Sequence, residues 1–188
     1  GNVLAERAKV SGHARFRENI EGQTLTIDGS AKIGKNLSVG KLKVSGKATV
    51  GGGVKCEEIK LQGRLRVGED CEAEIFKAES MFTIGGLLNA DQIDIKIFGE
   101  CFAKEIGGQT ITVKYKGSII GNLFKPVFKT QLETELVEGD IIELENTVAQ
   151  VVRGNQVKIG PHCQIGVVEY TGEFSMDKTA VVGESRQV

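Results

Sequence analysis

The sequence has few of the residues that most often build enzyme sites, and it has no long apolar segment. It contains 2 histidines, 2 prolines and no tryptophan, and aromatic residues make up only 5% of its 188 residues. So few prolines exclude a collagen-like chain, and the scarcity of histidine limits metal binding and acid–base catalysis. No run approaches the roughly 18 apolar residues of a membrane helix, and we expect no signal peptide. The composition is not that of an obvious enzyme.

The four cysteines, Cys56, Cys71, Cys101 and Cys163, are far apart and form no C-x-x-C pair. Without a recognisable secretion signal, this pattern favours reduced thiols and a cytoplasmic location. Cys71 and Cys101 fall at apolar positions, where we expect them to pack as small hydrophobic residues.

Glycine is abundant, at 25 of 188 residues, and it marks an internal repeat of 17 residues. Five rows align without a gap between residues 8 and 92. Each row has an alternating apolar pair, a small residue, a second alternating pair and a third apolar site. The first alternating pairs of the first four rows are Ala8/Val10, Leu25/Ile27, Leu42/Val44 and Ile59/Leu61. The small residues that follow these pairs are Gly12, Gly29, Gly46 and Gly63, in the same order.

Apolar alternation with a period of two predicts short strands that each bury one face. We expect glycine to form the corners between them because it tolerates a positive φ. Three short strands in 17 residues make one coil of an all-β solenoid, and coils stack about 4.8 Å apart. The predicted organisation is an extension over residues 1–7, a β-helix over 8–170 with an irregular break at 122–130, and a polar, flexible tail over 171–188.

The repeat, the abundant glycine and the closing stretch Ile142–Tyr170 resemble the bactofilins, which are bacterial polymer-forming cytoskeletal proteins. The segment Val157–Tyr170 (VKIGPHCQIGVVEY) carries most of this resemblance. The resemblance implies a right-handed parallel β-helix that joins end to end into filaments without a nucleotide. It also implies a scaffold for envelope, shape or motility machinery.

The edges of a solenoid give an independent reason to expect self-assembly. A terminal coil has unpaired N–H and C=O groups, and a solenoid that stays monomeric usually covers them. The alternative is a tail or loop that caps each end. We expect an arginine at Val168 to abolish filaments and leave the monomer folded. The predicted assembly residues are Ala8, Val10 and Phe16 in the first coil, and Val167, Val168 and Tyr170 in the last.

The charges are distributed unevenly along the chain. Residues 1–60 contain 11 basic and 6 acidic residues, whereas residues 130–188 contain 4 and 10. Stacking would align cations in columns on the outer faces, which suits either a solvated surface or a contact with anionic lipid, another polyanion or an acidic partner. Nucleic acid is not expected, because no aromatic residues interleave with the cations and the pI is about 6.2. This basic outer face consists of Lys9, Arg15, Lys32, Lys43, Lys60, Arg66 and Lys77.

The segment Ile159–Gly166 (IGPHCQIG) is the one place where histidine and cysteine are adjacent. Its Ile-Gly spacing is typical of hexapeptide-repeat acyltransferases, which use a histidine base. The 17-residue row is shorter than that fold prefers, and we predict no catalytic, metal or cofactor site and no small-molecule substrate. The favoured function is a cytoplasmic structural homopolymer whose further partners are the inner membrane surface or envelope-associated proteins. The alternatives are an acyltransferase-like enzyme and a non-polymerising adaptor that binds through the basic face.

Overall fold

The computed structural model describes residues 2–116 and 130–188, and these residues form an all-β chain. The predicted break at residues 122–130 lies, except for Thr130, outside the described residues. The strands are β1 (Val3–Val10), β2 (His13–Phe16), β3 (Ile20–Ile27), β4 (Ser30–Ile33), β5 (Leu37–Val44), β6 (Lys47–Val50), β7 (Val54–Leu61), β8 (Arg64–Val67), β9 (Cys71–Tyr115), β10 (Leu132–Leu144), β11 (Thr147–Ile159), β12 (Gln164–Met176) and β13 (Val181–Gln187).

The strands stack in parallel as a β-solenoid of about 10 turns, which confirms the predicted fold. Long strands pair in the order β1-β3-β5-β7-β9-β10-β11-β12-β13, and short strands β2, β4, β6 and β8 form a separate ladder that continues into β9. In the first turns each residue pairs with the one 17 positions later, as Val10 does with Ile27. The rows shorten to 15 residues between β10 and β11, where Leu132 pairs with Thr147.

Each turn is a three-sided loop around a shared apolar core. The short strands form one wall, and each long strand forms the other two because it bends in the middle. In β5, the inward side changes from Leu37 and Val39 to Leu42 and Val44, so the alternation slips by one residue at the bend. The bend is therefore the corner opposite the short-strand wall.

The core consists of ladders of equivalent side chains from successive turns. Ile27, Val44 and Leu61 lie directly above one another and are fully buried. Burying one such side chain stabilises the fold by about 1.5–3 kcal/mol, and a single turn cannot provide this burial alone. Phe76 and Phe82 fill the middle of the tube, edge to face, with ring centroids 5.5 Å apart.

Amide side chains secure one corner from turn to turn. The Asn19 side-chain oxygen accepts a hydrogen bond from the Asn36 N–H at 3.1 Å, and the Asn36 side-chain oxygen accepts one from the Gly53 N–H at 2.9 Å. Asp70 continues the column by accepting from the Leu87 N–H at 2.8 Å. These oxygens satisfy peptide groups where the strands are interrupted.

The corner glycines have a different physical role from the one predicted. No glycine in the described ranges has a positive φ. Instead, a Cβ on Gly46 would overlap the carbonyl oxygen of Gly29, and one on Gly63 would overlap the carbonyl oxygen of Gly46. Glycine is needed there because the turns approach too closely for a side chain, so the positive-φ expectation was wrong.

Both predicted termini of the solenoid need correction. Residues 1–7 are not an extension, because β1 begins at Val3 and pairs with β3 from Val3 to Val10. Residues 171–188 are not a flexible tail, because β12 runs to Met176 and β13 pairs with β12. The Val181 N–H donates to the Cys163 carbonyl at 2.9 Å and the Val188 N–H to the Tyr170 carbonyl at 3.0 Å. Backbone pairing holds this last turn even though its sequence is polar.

We expect Gly46→Ala to lower the free energy of unfolding by about 1–3 kcal/mol, because the added methyl group must push two stacked turns apart. Gly12→Ala is the matched control, since it occupies the same corner in the first turn and a Cβ there has nothing within 4 Å. Denaturant unfolding of both variants measures the difference. Equal effects of the two substitutions would contradict the close-stacking explanation.

Candidate assembly rims and charged walls

The first rim of the solenoid is apolar and incompletely covered. Val3, Ala8 and Phe16 point toward the core but are only partly buried, whereas Leu25 and Ile33, the next residues along two of these ladders, are 1% and 0% exposed. Leu4 is 75% exposed on the same turn. The predicted residues Ala8, Val10 and Phe16 therefore lie together on a terminal turn, as expected.

The other predicted assembly residues do not form the opposite rim. Val167, Val168 and Tyr170 lie on β12 and pair with Glu184, Ser185 and Gln187 of β13, so another strand covers them. Val168 is fully buried. An arginine there would place a charge in the core and destabilise the monomer, so the substitution does not test the rim as predicted.

The second rim is formed by the end of β12 and by β13, and it is more polar than the first. Phe174 stacks on Tyr170 with ring centroids 5.3 Å apart, and Met176 and Val181 are exposed. The apolar ladder through Val152 and Val168 ends at Ser185. The two rims therefore differ in chemistry.

An ion-pair network attaches the last strand to the turn before it. Glu169 accepts hydrogen bonds from Arg186 of β13 and from Arg153 of β11, the latter at 2.6 Å. Arg153 also contacts Glu138 at 3.0 Å. The hydrogen bond from Arg186, followed by that from Arg153, lowers the pKa of Glu169 below its ordinary value.

The strand register places the predicted basic residues in columns. Lys43, Lys60 and Lys77 stack on one wall in line with Lys9. Two members of this column have ion-pair partners: Lys9 lies 2.9 Å from Asp28, and Lys60 lies 2.8 Å from Glu58.

The short-strand wall carries more cations than the single predicted column. Besides the predicted column of Arg15, Lys32 and Arg66, it presents Lys47 and Arg64 from the adjacent outward column. All five are exposed, and no carboxylate of the described residues lies within ion-pair distance of them. We call these five residues the basic wall. The second column could have been found by reading every outward position of the rows.

Carboxylates gather at the opposite corner, where the long strands bend. Two open depressions there have volumes of about 650 and 410 Å³ and share Asn89, so they form one groove along the tube. The cations that line it are already paired, Lys55 with Glu72 and Arg153 with Glu138 and Glu169. The carboxylates in the groove without an ion-pair partner in the described ranges, which we call the acidic edge, are Glu57, Glu74, Asp91, Glu105 and Asp140.

The histidine–cysteine segment forms a tight corner. His162 has a φ of 59°, and its N–H donates to the Thr179 hydroxyl at 3.2 Å. Cys163 is buried, its thiol contacts the Leu144 carbonyl at 3.4 Å, and burial raises its pKa to about 11. The thiol is therefore not poised as a nucleophile.

Two negative findings apply to residues 2–116 and 130–188. No group of three or more His, Cys, Asp or Glu side chains there is arranged to hold a metal ion. No helix in these ranges is long and apolar enough to cross a bilayer.

Comparison with known proteins finds two curated relatives from Bacillus subtilis (strain 168). The chain is 46% identical over 106 residues to "Uncharacterized protein YhbE", covering 56% of this chain and 44% of the relative. It is 38% identical over 104 residues to "Uncharacterized protein YhbF", covering 55% and 42%. The matched regions span less than half the length of these relatives. No family model and no solved structure matches the chain.

We expect Glu169→Gln to loosen β13, because the neutral amide loses the charged contacts to Arg186 and Arg153. Amide exchange at Val181 and Val188 should accelerate, while exchange in β3 and β5 stays unchanged. The same loosening should occur in the unmodified chain as the pH falls through the lowered pKa of Glu169, since the contribution of a carboxylate with a lowered pKa is lost on protonation. Hydrogen exchange followed by mass spectrometry measures both effects.

The control is Glu173→Gln, which changes an exposed carboxylate on β12 that has no ion pair among the described residues. If both variants accelerate exchange in β13 equally, the Glu169 contacts do not hold the last strand.

Proposed function

We propose that this chain is a structural subunit that assembles end to end through its rims into filaments, without nucleotide or cofactor. The observation that carries the proposal is the first rim. Its inward residues Val3, Ala8 and Phe16 belong to core ladders that are fully buried one turn later, and they remain partly exposed. A further turn from another chain would complete their burial.

The backbone supports the same contact. A parallel strand at the edge of a sheet presents one free row of N–H and C=O groups, and this row pairs readily with another strand. Within the described part of the chain, β1 and β2 each have one strand partner, on one side only. Stacking of a second solenoid would therefore add hydrogen bonds and apolar burial in the same step.

The resemblance to bactofilins suggests what such filaments would do. In this proposal the polymer is a cytoplasmic cytoskeletal scaffold for envelope, shape or motility machinery, with the inner membrane surface or envelope-associated proteins as partners. The two Bacillus relatives are longer than the region they share with this chain. For a longer protein of that kind, the same scaffold function is what we propose.

A non-polymerising adaptor is the second candidate, and the basic wall favours it. Five exposed cations without an ion-pair partner in the described ranges would suit an anionic partner. Such an adaptor would remain monomeric at concentrations where the filament proposal requires polymers. The acyltransferase-like alternative has less support, because its histidine base would be His162, which lies exposed at a tight corner and outside the groove described above.

We expect Ala8→Arg to abolish filaments in negative-stain microscopy of the purified chain without nucleotide. The guanidinium would enter the contact between rims, whereas in the monomer its stem can leave the tube through the open rim. Circular dichroism and thermal unfolding should stay close to the parent values. Ser38→Arg, which adds the same charge at an exposed position of β5, is the control and should keep its filaments.

The products of Ala8→Arg also distinguish two modes of assembly. In head-to-tail joining every contact uses one copy of each rim, so blocking the first rim leaves monomers. In like-end joining the second rims still meet, so discrete dimers remain. Long filaments formed by Ala8→Arg would contradict a role for the first rim, and a parent chain that is monomeric at all concentrations would contradict the filament proposal itself.

A further inference from the structure

We infer that the solenoid also associates side by side with a second copy of itself, the basic wall of one copy lying against the acidic edge of the next. This contact goes beyond the end-to-end joining proposed above and does not depend on it, because it uses the sides of the tube. The partner is another copy of this chain.

The basic wall is a sheet face of uniform positive charge, and no carboxylate of residues 2–116 and 130–188 pairs with it. Arg15, Lys32, Lys47, Arg64 and Arg66 point outward from four consecutive turns of short strands. The outward positions of β2, β4, β6 and β8 include no carboxylate. By contrast, Lys9 and Lys60 on the neighbouring wall are neutralised by Asp28 and Glu58. The wall's cations repel one another, and an approaching anionic surface relieves this repulsion.

The acidic edge supplies that surface within the same chain. Glu57, Glu74, Asp91, Glu105 and Asp140 line the groove at the bend of the long strands. The bend is the corner opposite the short-strand wall, so one molecule cannot bring the two sets together. A neighbouring molecule can, and the five cations then meet five carboxylates.

The overall charge favours a second copy over another polyanion. The formal net charge is only -1, so the cations of the wall are matched by carboxylates elsewhere on the same molecule. The wall and the edge lie on opposite sides of the tube, so copies joined through them with little relative rotation do not close into a ring. Repetition of the contact then produces an open raft of parallel rods. The wall covers the first four turns and the edge begins at the fourth. Rods oriented in parallel would therefore be offset by about 15–20 Å, three to four strand spacings.

The experiment uses two charge-reversed double variants. Lys47→Glu/Arg64→Glu reverses two charges of the wall. Asp91→Lys/Glu105→Lys reverses the two carboxylates of the edge that face those positions when neighbouring rods are offset by three turns. Each variant alone then places two pairs of like charges inside the contact and should associate laterally less than the parent chain. An equimolar mixture should recover association, because each kind of surface again faces its opposite.

Lateral association is measured by sedimentation and by microscopy of rafts at about 0.05 M NaCl, with about 0.5 M NaCl as the condition that screens the contact. Lys43→Glu/Lys77→Glu is the matched control, since it makes the same change in net charge on the neighbouring wall and should leave rafts in place. The four chains are also compared in an Ala8→Arg background, where end-to-end joining is blocked. Side-by-side pairing should persist there, so failure of the filament proposal and failure of this inference give different results.

Three results would overturn the inference. The first is lateral association by either double variant alone at the parent level, and the second is no recovery on mixing. The third is binding of the parent, but not of Lys47→Glu/Arg64→Glu, to phosphatidylglycerol vesicles together with no side-by-side association at low salt. That result would assign the wall to a lipid surface instead.

Discussion

The spacing between one turn and the next is the constraint on which the rest of this structure depends. Parallel strands can pair only at about 4.8 Å. The side chains at equivalent positions of successive turns must therefore pack against one another at that distance. Core columns contain Ile, Leu and Val, and corner columns contain glycine where a Cβ would meet the carbonyl oxygen of the turn below. At the same spacing, the Asn19 side chain accepts a hydrogen bond from the backbone N–H of Asn36, one turn later. The repeat in the sequence follows from this spacing, because each turn needs the same kinds of residue at the same positions.

Much of the fold could be predicted from the sequence because this constraint acts locally. The rows over residues 8–92 place the strands, the core ladders and the basic columns where the structure has them. The last turn could not be found in this way. In Gly183–Gln187 the inward side chains are small or polar, and it is backbone pairing that holds the strand, which apolar alternation does not report. For the same reason Val168 was predicted to be a terminal residue although it is covered by Ser185.

The candidate sites result from two differences in chemistry, one between the two ends of the solenoid and one between its sides. Along the axis, an apolar first turn differs from a polar last turn that is attached through Glu169 and Arg186. Around the axis, the basic wall lies opposite the acidic edge. The first difference suits a contact between ends and the second a contact between sides. Outward positions were the least predictable, because neither core packing nor corner geometry restricts them and their role becomes visible only when the turns are stacked.

The change in row length, from 17 residues in the early turns to 15 between β10 and β11, has a consequence for how such chains can vary. Each row contacts only the rows on either side of it, so a row of different perimeter is accommodated by its two neighbours and leaves distant rows unaffected. Duplication or loss of one row would lengthen or shorten the molecule by a fixed step while preserving both extremities. The length of a protein built in this manner is set by its number of rows, so evolution can change that length in fixed steps.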